Sequence, residues 1–240
     1  MNNNDDTAAW NQRLGLIWAA HLCRHGLQGG GTLVELGPGF SDKLARGLAQ
    51  LEFAGKIVLV EPNDTVGAWA ETNYRQWLPQ AIVTRVSVSA TKRAGLPVGK
   101  IDALAANHLL DDLILQASLP AQISAELFAE MRPGTNCSAL FVAQWRALLA
   151  RPVLLEQGCA RAMLEFMRHI AVWQPRFVVL NHYPSWRHAQ HGLGAIHTHA
   201  TAVLQQLVPQ LEAANYMTAV WPDEDALVGG SWLVGRRRTA

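Results

Sequence analysis

The stretch TLVELGPGFSDKL, Thr32 to Leu44, decides the fold of this chain. Its apolar run Leu33-Val34-Glu35-Leu36 stops at Gly37-Pro38-Gly39, and Ser41-Asp42 then opens the helical pattern Lys43 to Ala49. Together these make a buried strand, a tight glycine turn and a capped helix, the first half of a βαβ unit. Gly37 and Gly39 leave the backbone bare, so a ligand can approach main-chain atoms that a Cβ would shield. A second strand, Lys56 to Val60, runs into Glu61-Pro62-Asn63 and so places an acid at its carboxyl end.

Glu61 follows Gly37 by 24 residues, about where an adenosine ribose expects a carboxylate to accept both hydroxyls. A further buried strand, Ile101 to Ala106, ends at Asn107-His108 and continues into Leu109-Leu110-Asp111-Asp112-Leu113. On the segments VELGPG, VLVEP and DALAANHLLDDL, the sequence resembles the class I S-adenosylmethionine-dependent methyltransferases over about residues 30 to 115. The resemblance implies a Rossmann-like, doubly wound α/β fold whose seven-stranded, mostly parallel sheet closes with an antiparallel C-terminal hairpin. It implies S-adenosyl-L-methionine as cofactor, held by Glu35, Gly37, Pro38, Gly39, Glu61, Pro62, Asn63, Ser87, Val88 and Asn107. Members of the family often carry an acid after the third strand, facing the adenine amino group. Here that segment is Ser87-Val88-Ser89-Ala90-Thr91, so a hydroxyl or a main-chain carbonyl has to serve.

The competing reading is a dinucleotide dehydrogenase, which also wants glycines and a ribose acid. The third glycine of its G-x-G-x-x-G fingerprint falls on Asp42, at the helix start where a pyrophosphate would sit. A carboxylate there repels phosphate, and Glu35 adds to the repulsion. S-adenosylmethionine has no phosphate and carries an ammonium group, so the methyl donor is favoured. A third reading is a methyltransferase fold that has lost catalysis and serves as a partner-binding subunit. The intact set Glu35, Gly37, Gly39 and Glu61 favours an active enzyme.

At 240 residues the chain suits one α/β domain with an insertion. Half of it is apolar, 16% is charged and the formal net charge is +1, which excludes a disordered chain and gives no global attraction for nucleic acid or anionic membrane. Three cysteines without C-x-x-C spacing and a polar, acidic start point to a reduced, cytoplasmic protein. No apolar run reaches membrane-spanning length.

Residues 1 to 8 read as a frayed leader, and Ala9 to Leu27 as a leading helix ended by Gly29-Gly30-Gly31. His21 and His25 share a face of that helix at metal-ligand spacing, though such a pair is more often plain surface. Val66 to Trp77 reads as a helix and Ala81 to Val88 as the third strand. Two segments compete for the fifth strand: Ser138 to Ala143, after the turn Arg132-Pro133-Gly134, and the more β-branched Phe177 to Asn181. Taking the second makes residues 109–175 a mostly helical insertion over the strand ends, expected to act as an acceptor-side cover or as the contact surface of a homodimer. Tyr216 to Trp221 and Ser231 to Val234 form the closing hairpin.

Methyl transfer needs the acceptor held in line with an already activated methyl, with water excluded, and a base only where the attacking atom carries a proton. Catalytic candidates are His108 and His182, each following directly on a predicted parallel strand. Substrate-binding candidates are Asp112, Trp145, Tyr183, Trp186 and Arg187, where the tryptophans could wall a flat acceptor and Arg187 could face an anion. His182, His188, His191, His197 and His199 fall within eighteen residues; without a cysteine or a nearby carboxylate, no metal site is expected of them. The four-residue signature of many DNA and protein-amide methyltransferases is missing, and Asn181-His182-Tyr183-Pro184 does not replace it. The expectation is a small-molecule oxygen or nitrogen acceptor, with no nucleic-acid and no membrane partner.

Overall fold

The computed structural model describes residues 3–24, 26–27, 29–88, 101–130, 138–222 and 231–238. Seven strands lie in one sheet in the order β3-β2-β1-β4-β5-β7-β6. They are β1 (Thr32–Leu36), β2 (Lys56–Val60), β3 (Ile82–Val86), β4 (Ala103–Asn107), β5 (Phe177–His182), β6 (Tyr216–Pro222) and β7 (Ser231–Arg237). The pairings β3-β2, β2-β1, β1-β4 and β4-β5 are parallel, whereas β7 runs antiparallel to both β5 and β6. The doubly wound sheet and its antiparallel closing strand are those the sequence implied. Residues 223–230, which join β6 to β7, lie outside the described residues.

A sheet covered on both faces needs strands that are apolar along most of their length, and β1, β2, β4 and β5 are, with Glu35, Asn107, Asn181 and His182 the buried polar exceptions. Alternate residues then serve opposite cores. Val34, Leu36, Val58, Val60, Leu104, Val178 and Leu180 face one, and Leu33, Ile57, Leu59, Ala103, Phe177 and Val179 the other. The second core is closed by α1 (Asn3–Arg24), α2 (Lys43–Gln50) and α3 (Asp64–Trp77), through Leu14, Trp18, Leu44, Leu48, Ala70 and Tyr74. The first is closed by α4 (Leu110–Ser118), α5 (Ala121–Ala129), α6 (Ala139–Leu149), α7 (Pro152–Trp173) and α9 (Ala195–Ala213); a short α8 (Trp186–Gln190) follows β5.

Several expectations change in detail. Helix α1 begins at Asn3, inside the stretch read as a frayed leader. Ser138 caps α6 by accepting the Phe141 N–H, so residues 139–143 are helical and the fifth strand is β5. Helices α4 to α7 share one core with the sheet, including Leu113, Leu127, Trp145 and Phe166. Their apolar faces close this one core together with the sheet. His197 and His199 sit on α9. His25 lies outside the described residues, and His21 stacks on Trp232 with centroids 4.6 Å apart. Among the described residues no helix is long and apolar enough to cross a membrane.

Candidate active site

The turn after β1 sits beside the end of β2. Gly37 donates its N–H to the Val60 carbonyl at 2.9 Å, and both Gly37 (φ 58) and Gly39 (φ 57) adopt left-handed backbone. Gly37 has no room for a side chain, since a Cβ would stand 2.4 Å from Leu109 Cδ1; nothing lies within 4 Å of the Cβ position of Gly39. The two glycines open a cleft of about 430 Å³, counting its mouth, together with Val60, Glu61, Pro62, Leu109, Asp112, Leu113, Gln116 and Phe128.

Glu61, 5% exposed, points its carboxylate at this turn. It accepts the backbone N–H of Asn63 at 3.0 Å, and the Gly39 N–H lies near enough to favour the charged form. Burial pushes its pKa up to about 7, against the pull of those two donors. Glu35 is buried one strand away and accepts the Tyr74 hydroxyl. Burial lifts Glu35 to about 8; the Tyr74 hydrogen bond opposes this and the charge of Glu61 adds to it. Asp112 is likewise raised, by burial first and then by Asp111, with Glu61 contributing. Burial thus raises all three carboxyls, of which Glu61 and Asp112 line the cleft.

The other expected cofactor residues have definite places. Pro38 is buried in the turn. Asn63 is spent as the cap of α3: its Oδ1 accepts the N–H groups of Thr65 and Val66, and its Nδ2 donates to the Phe128 carbonyl at 2.7 Å. Ser87 donates to Asp64 Oδ1 at 2.7 Å, on the same carboxylate that Arg85 approaches at 2.8 Å. Asp64 is thus the acid beside the end of β3; it opens α3 and was not sought there, because the family's acid follows β3 in sequence. Val88 packs on the core. Asn107 donates to Ser41 Oγ at 3.3 Å, tying the end of β4 to the start of α2.

Beside the cleft, at the carboxyl ends of β4 and β5, lies a cluster of rings. Asn107 pairs with Asn181 in register, so His108 and His182 stand side by side with centroids 4.4 Å apart. His108 has left-handed backbone (φ 55); its N–H donates to the Asn181 carbonyl and its Nε2 to the Tyr183 carbonyl, at 2.8 Å. Its Nδ1 is 3.3 Å from Asp111 Oδ2. Burial pulls His108 down, but the adjacent Asp111 carboxylate outweighs this and holds it up at about 9, a cation and donor rather than a free base at neutral pH. His182 is 1% exposed, and burial together with the His108 charge pulls it down to about 3. Tyr183 takes a hydrogen bond from Lys43 Nζ and stands edge-on to Trp10 at 5.5 Å.

Of the expected substrate residues, Asp112 lines the cleft. Trp145 is fully buried in the core that α4 to α7 share, so it cannot wall an acceptor. Trp186 is 58% exposed, with the Arg187 guanidinium 5.4 Å from its ring centre. Lys43 and Tyr74 reach the site from α2 and α3, and no sequence spacing linked them to Tyr183 and Glu35.

No family model matches the chain, and no curated protein matches it. Solved structures do. The small RNA methyltransferase HEN1 superposes with TM-score 0.53 at 12% identity, over 92% of this chain, which spans 25% of that longer one. The delta-N METTL16 MTase domain gives 0.53 at 11% identity, covering 95% of this chain and 83% of that one. A SAM-dependent methyltransferase from Aquifex aeolicus gives 0.51 at 14%, covering 93% and 91%. The first corrects the expectation of a small-molecule substrate with no nucleic-acid partner: this fold serves a nucleic-acid acceptor there. A near-neutral net charge bounds only the long-range field, not a local contact surface. By topology and by superposition, the chain has the fold of the class I S-adenosylmethionine-dependent methyltransferases.

Proposed function

We propose that this chain is an S-adenosylmethionine-dependent methyltransferase that modifies a nucleic acid. The observation that carries the donor assignment is Glu61. An ionised carboxylate has roughly four acceptor positions; the Asn63 N–H occupies one and the nearby Gly39 N–H can take a second. Two remain for a pair of vicinal hydroxyls, at the mouth of a turn whose glycines leave the main chain open. The raised carboxyls of Glu61 and Glu35 suit a ligand with a positive charge and no phosphate. When bound, S-adenosylmethionine would supply a methyl group already activated on a sulfonium. Glu61 would hold the ribose, Gly37 and Gly39 would admit the donor to the backbone, and Leu109, Leu113 and Phe128 would exclude water.

The acceptor class rests on Trp186 and Arg187. An exposed indole beside a guanidinium, just past the carboxyl end of β5, offers a base a stacking face and its phosphate a cation. The small RNA methyltransferase of like fold supports the same class. Calorimetry with S-adenosylhomocysteine and NADH tests the donor: saturable binding of the first is expected, and binding of NADH alone would sink the reading. Transfer of labelled methyl from the donor into total RNA or DNA tests the acceptor. Donor binding with no label in either nucleic acid would refute that half alone.

A further inference from the structure

The ring cluster at the ends of β4 and β5 is built more densely than a methyl-donor site requires. Asp111, on the first turn of α4, turns its carboxylate back towards the strand ends. Its Oδ2 lies 3.3 Å from His108 Nδ1 and 3.9 Å from His188 Nδ1 on α8. Ligand atoms of His108, Asp111 and His182 all fall within 4.8 Å of one another. Two ligands bound to one ion at about 2.1 Å stand roughly 3 to 4.2 Å apart, so a small closure would bring these onto a common centre.

Burial makes the arrangement costly as it stands. His182 is 1% exposed and Asp111 is 2% exposed. Neither nitrogen of His182, nor Asp111 Oδ1, has a hydrogen-bond partner among the described residues. His197, stacked on His182 at 5.2 Å, has a buried Nδ1 in the same condition. Buried polar groups are nearly always paired. A plain ion pair between His108 and Asp111 would account for Oδ2 and for the His108 ring, but it leaves His182 and Oδ1 unexplained.

The tautomer points the same way. The Tyr183 carbonyl can only accept, so it keeps a proton on His108 Nε2, and an ion displacing the other proton would meet Nδ1 on the side of Asp111. A carbonyl behind the distal nitrogen is the usual means of aiming an imidazole at a metal. His108 also holds left-handed backbone, uncommon outside glycine, and that conformation sets its ring beside His182.

We propose that His108, His182, His188 and Asp111 form a binding site for a first-row divalent transition-metal ion. Three imidazoles and one carboxylate suit zinc, cobalt, iron or nickel, and not magnesium or calcium, which take oxygen ligands. Asp111 directly precedes the cleft-lining Asp112 on α4. The site is independent of the methyl donor and stands whether or not that assignment holds.

The test uses the full chain after treatment with a chelator. Cobalt(II) titration, followed by calorimetry and visible absorption, should give one ion per chain and d–d bands of a nitrogen-rich site. Zinc should displace it, and zinc alone should raise the melting temperature. His182→Gln and Asp111→Asn should each weaken cobalt binding by at least tenfold. His188→Gln provides a further variant should His182→Gln or Asp111→Asn fail to fold, with circular dichroism as the check. S-adenosylhomocysteine binding to the chelated protein reports the donor cleft separately. No cobalt or zinc binding by the folded wild type would overturn the proposal. So would cobalt binding with unchanged affinity and spectrum in folded variants, or stabilisation by magnesium but not by zinc.

Discussion

If Glu61 holds the ribose as a carboxylate, donor binding must follow its titration. In the ligand-free fold, burial raises the group from 4.5 to about 7, so the protonated form is favoured. The stability this contributes is fully present below pH 4.5 and is lost as pH rises through 7. A ribose donates its hydroxyls to the ionised form, so the ligand offsets that loss and binds better as pH rises. With a pKa near 7, the apparent Kd of S-adenosylhomocysteine should exceed its limiting value by a factor of about 1.1 at pH 8, about 2 at pH 7 and about 11 at pH 6. The tenfold span between pH 8 and 6 is about 1.4 kcal/mol. Glu61→Gln should weaken binding at pH 8 by roughly 10- to 100-fold, since hydrogen bonds to a charged group contribute about 1.5–3 kcal/mol. It should also flatten the pH dependence; a residual slope would report Glu35, which titrates near 8 and feels the Glu61 charge. Calorimetry in buffers of matched ionic strength gives both quantities. A wild-type Kd that is constant from pH 6 to 8, or a glutamine variant that binds as well as wild type at pH 8, would refute the reasoning.

Three further variants separate packing from recognition. Gly37→Ala forces a Cβ to 2.4 Å from Leu109 Cδ1 in left-handed backbone, so it should cost about 1–2 kcal/mol, lower the melting temperature by a few degrees and push Leu109 into the donor cleft. Calorimetric scanning and S-adenosylhomocysteine titration read the two effects. Trp145→Ala should cost about 3–5 kcal/mol, because the ring is fully buried. Trp186→Ala should alter stability by less than about 0.5 kcal/mol while weakening RNA binding by about 1–3 kcal/mol, the contribution of one stacked base. Chemical denaturation and filter binding on the same pair of variants distinguish the roles.

The sequence alone determined whatever is local in the chain. The apolar run of Leu33 to Leu36, the two glycines and the helical period after Asp42 form one contiguous unit, so strand, turn and helix follow from short-range sterics. Glu61 was legible for the same reason, since an acid that closes a strand after a glycine turn keeps its place in every βαβ unit. What only the tertiary structure decided are the partners brought together across the sheet. Tyr74 meets Glu35 across 39 residues and Lys43 meets Tyr183 across 140. The histidines from His182 onwards seemed to lack a carboxylate, yet Asp111 reaches His188 from α4 because β4 and β5 are neighbours in the sheet. Trp145 reads the same in sequence whether it walls a ligand or fills a core, and its complete burial settles it. Pairing between neighbouring parallel strands is set by the order in which the chain is wound, and that order has no signature in the spacing of residues along it.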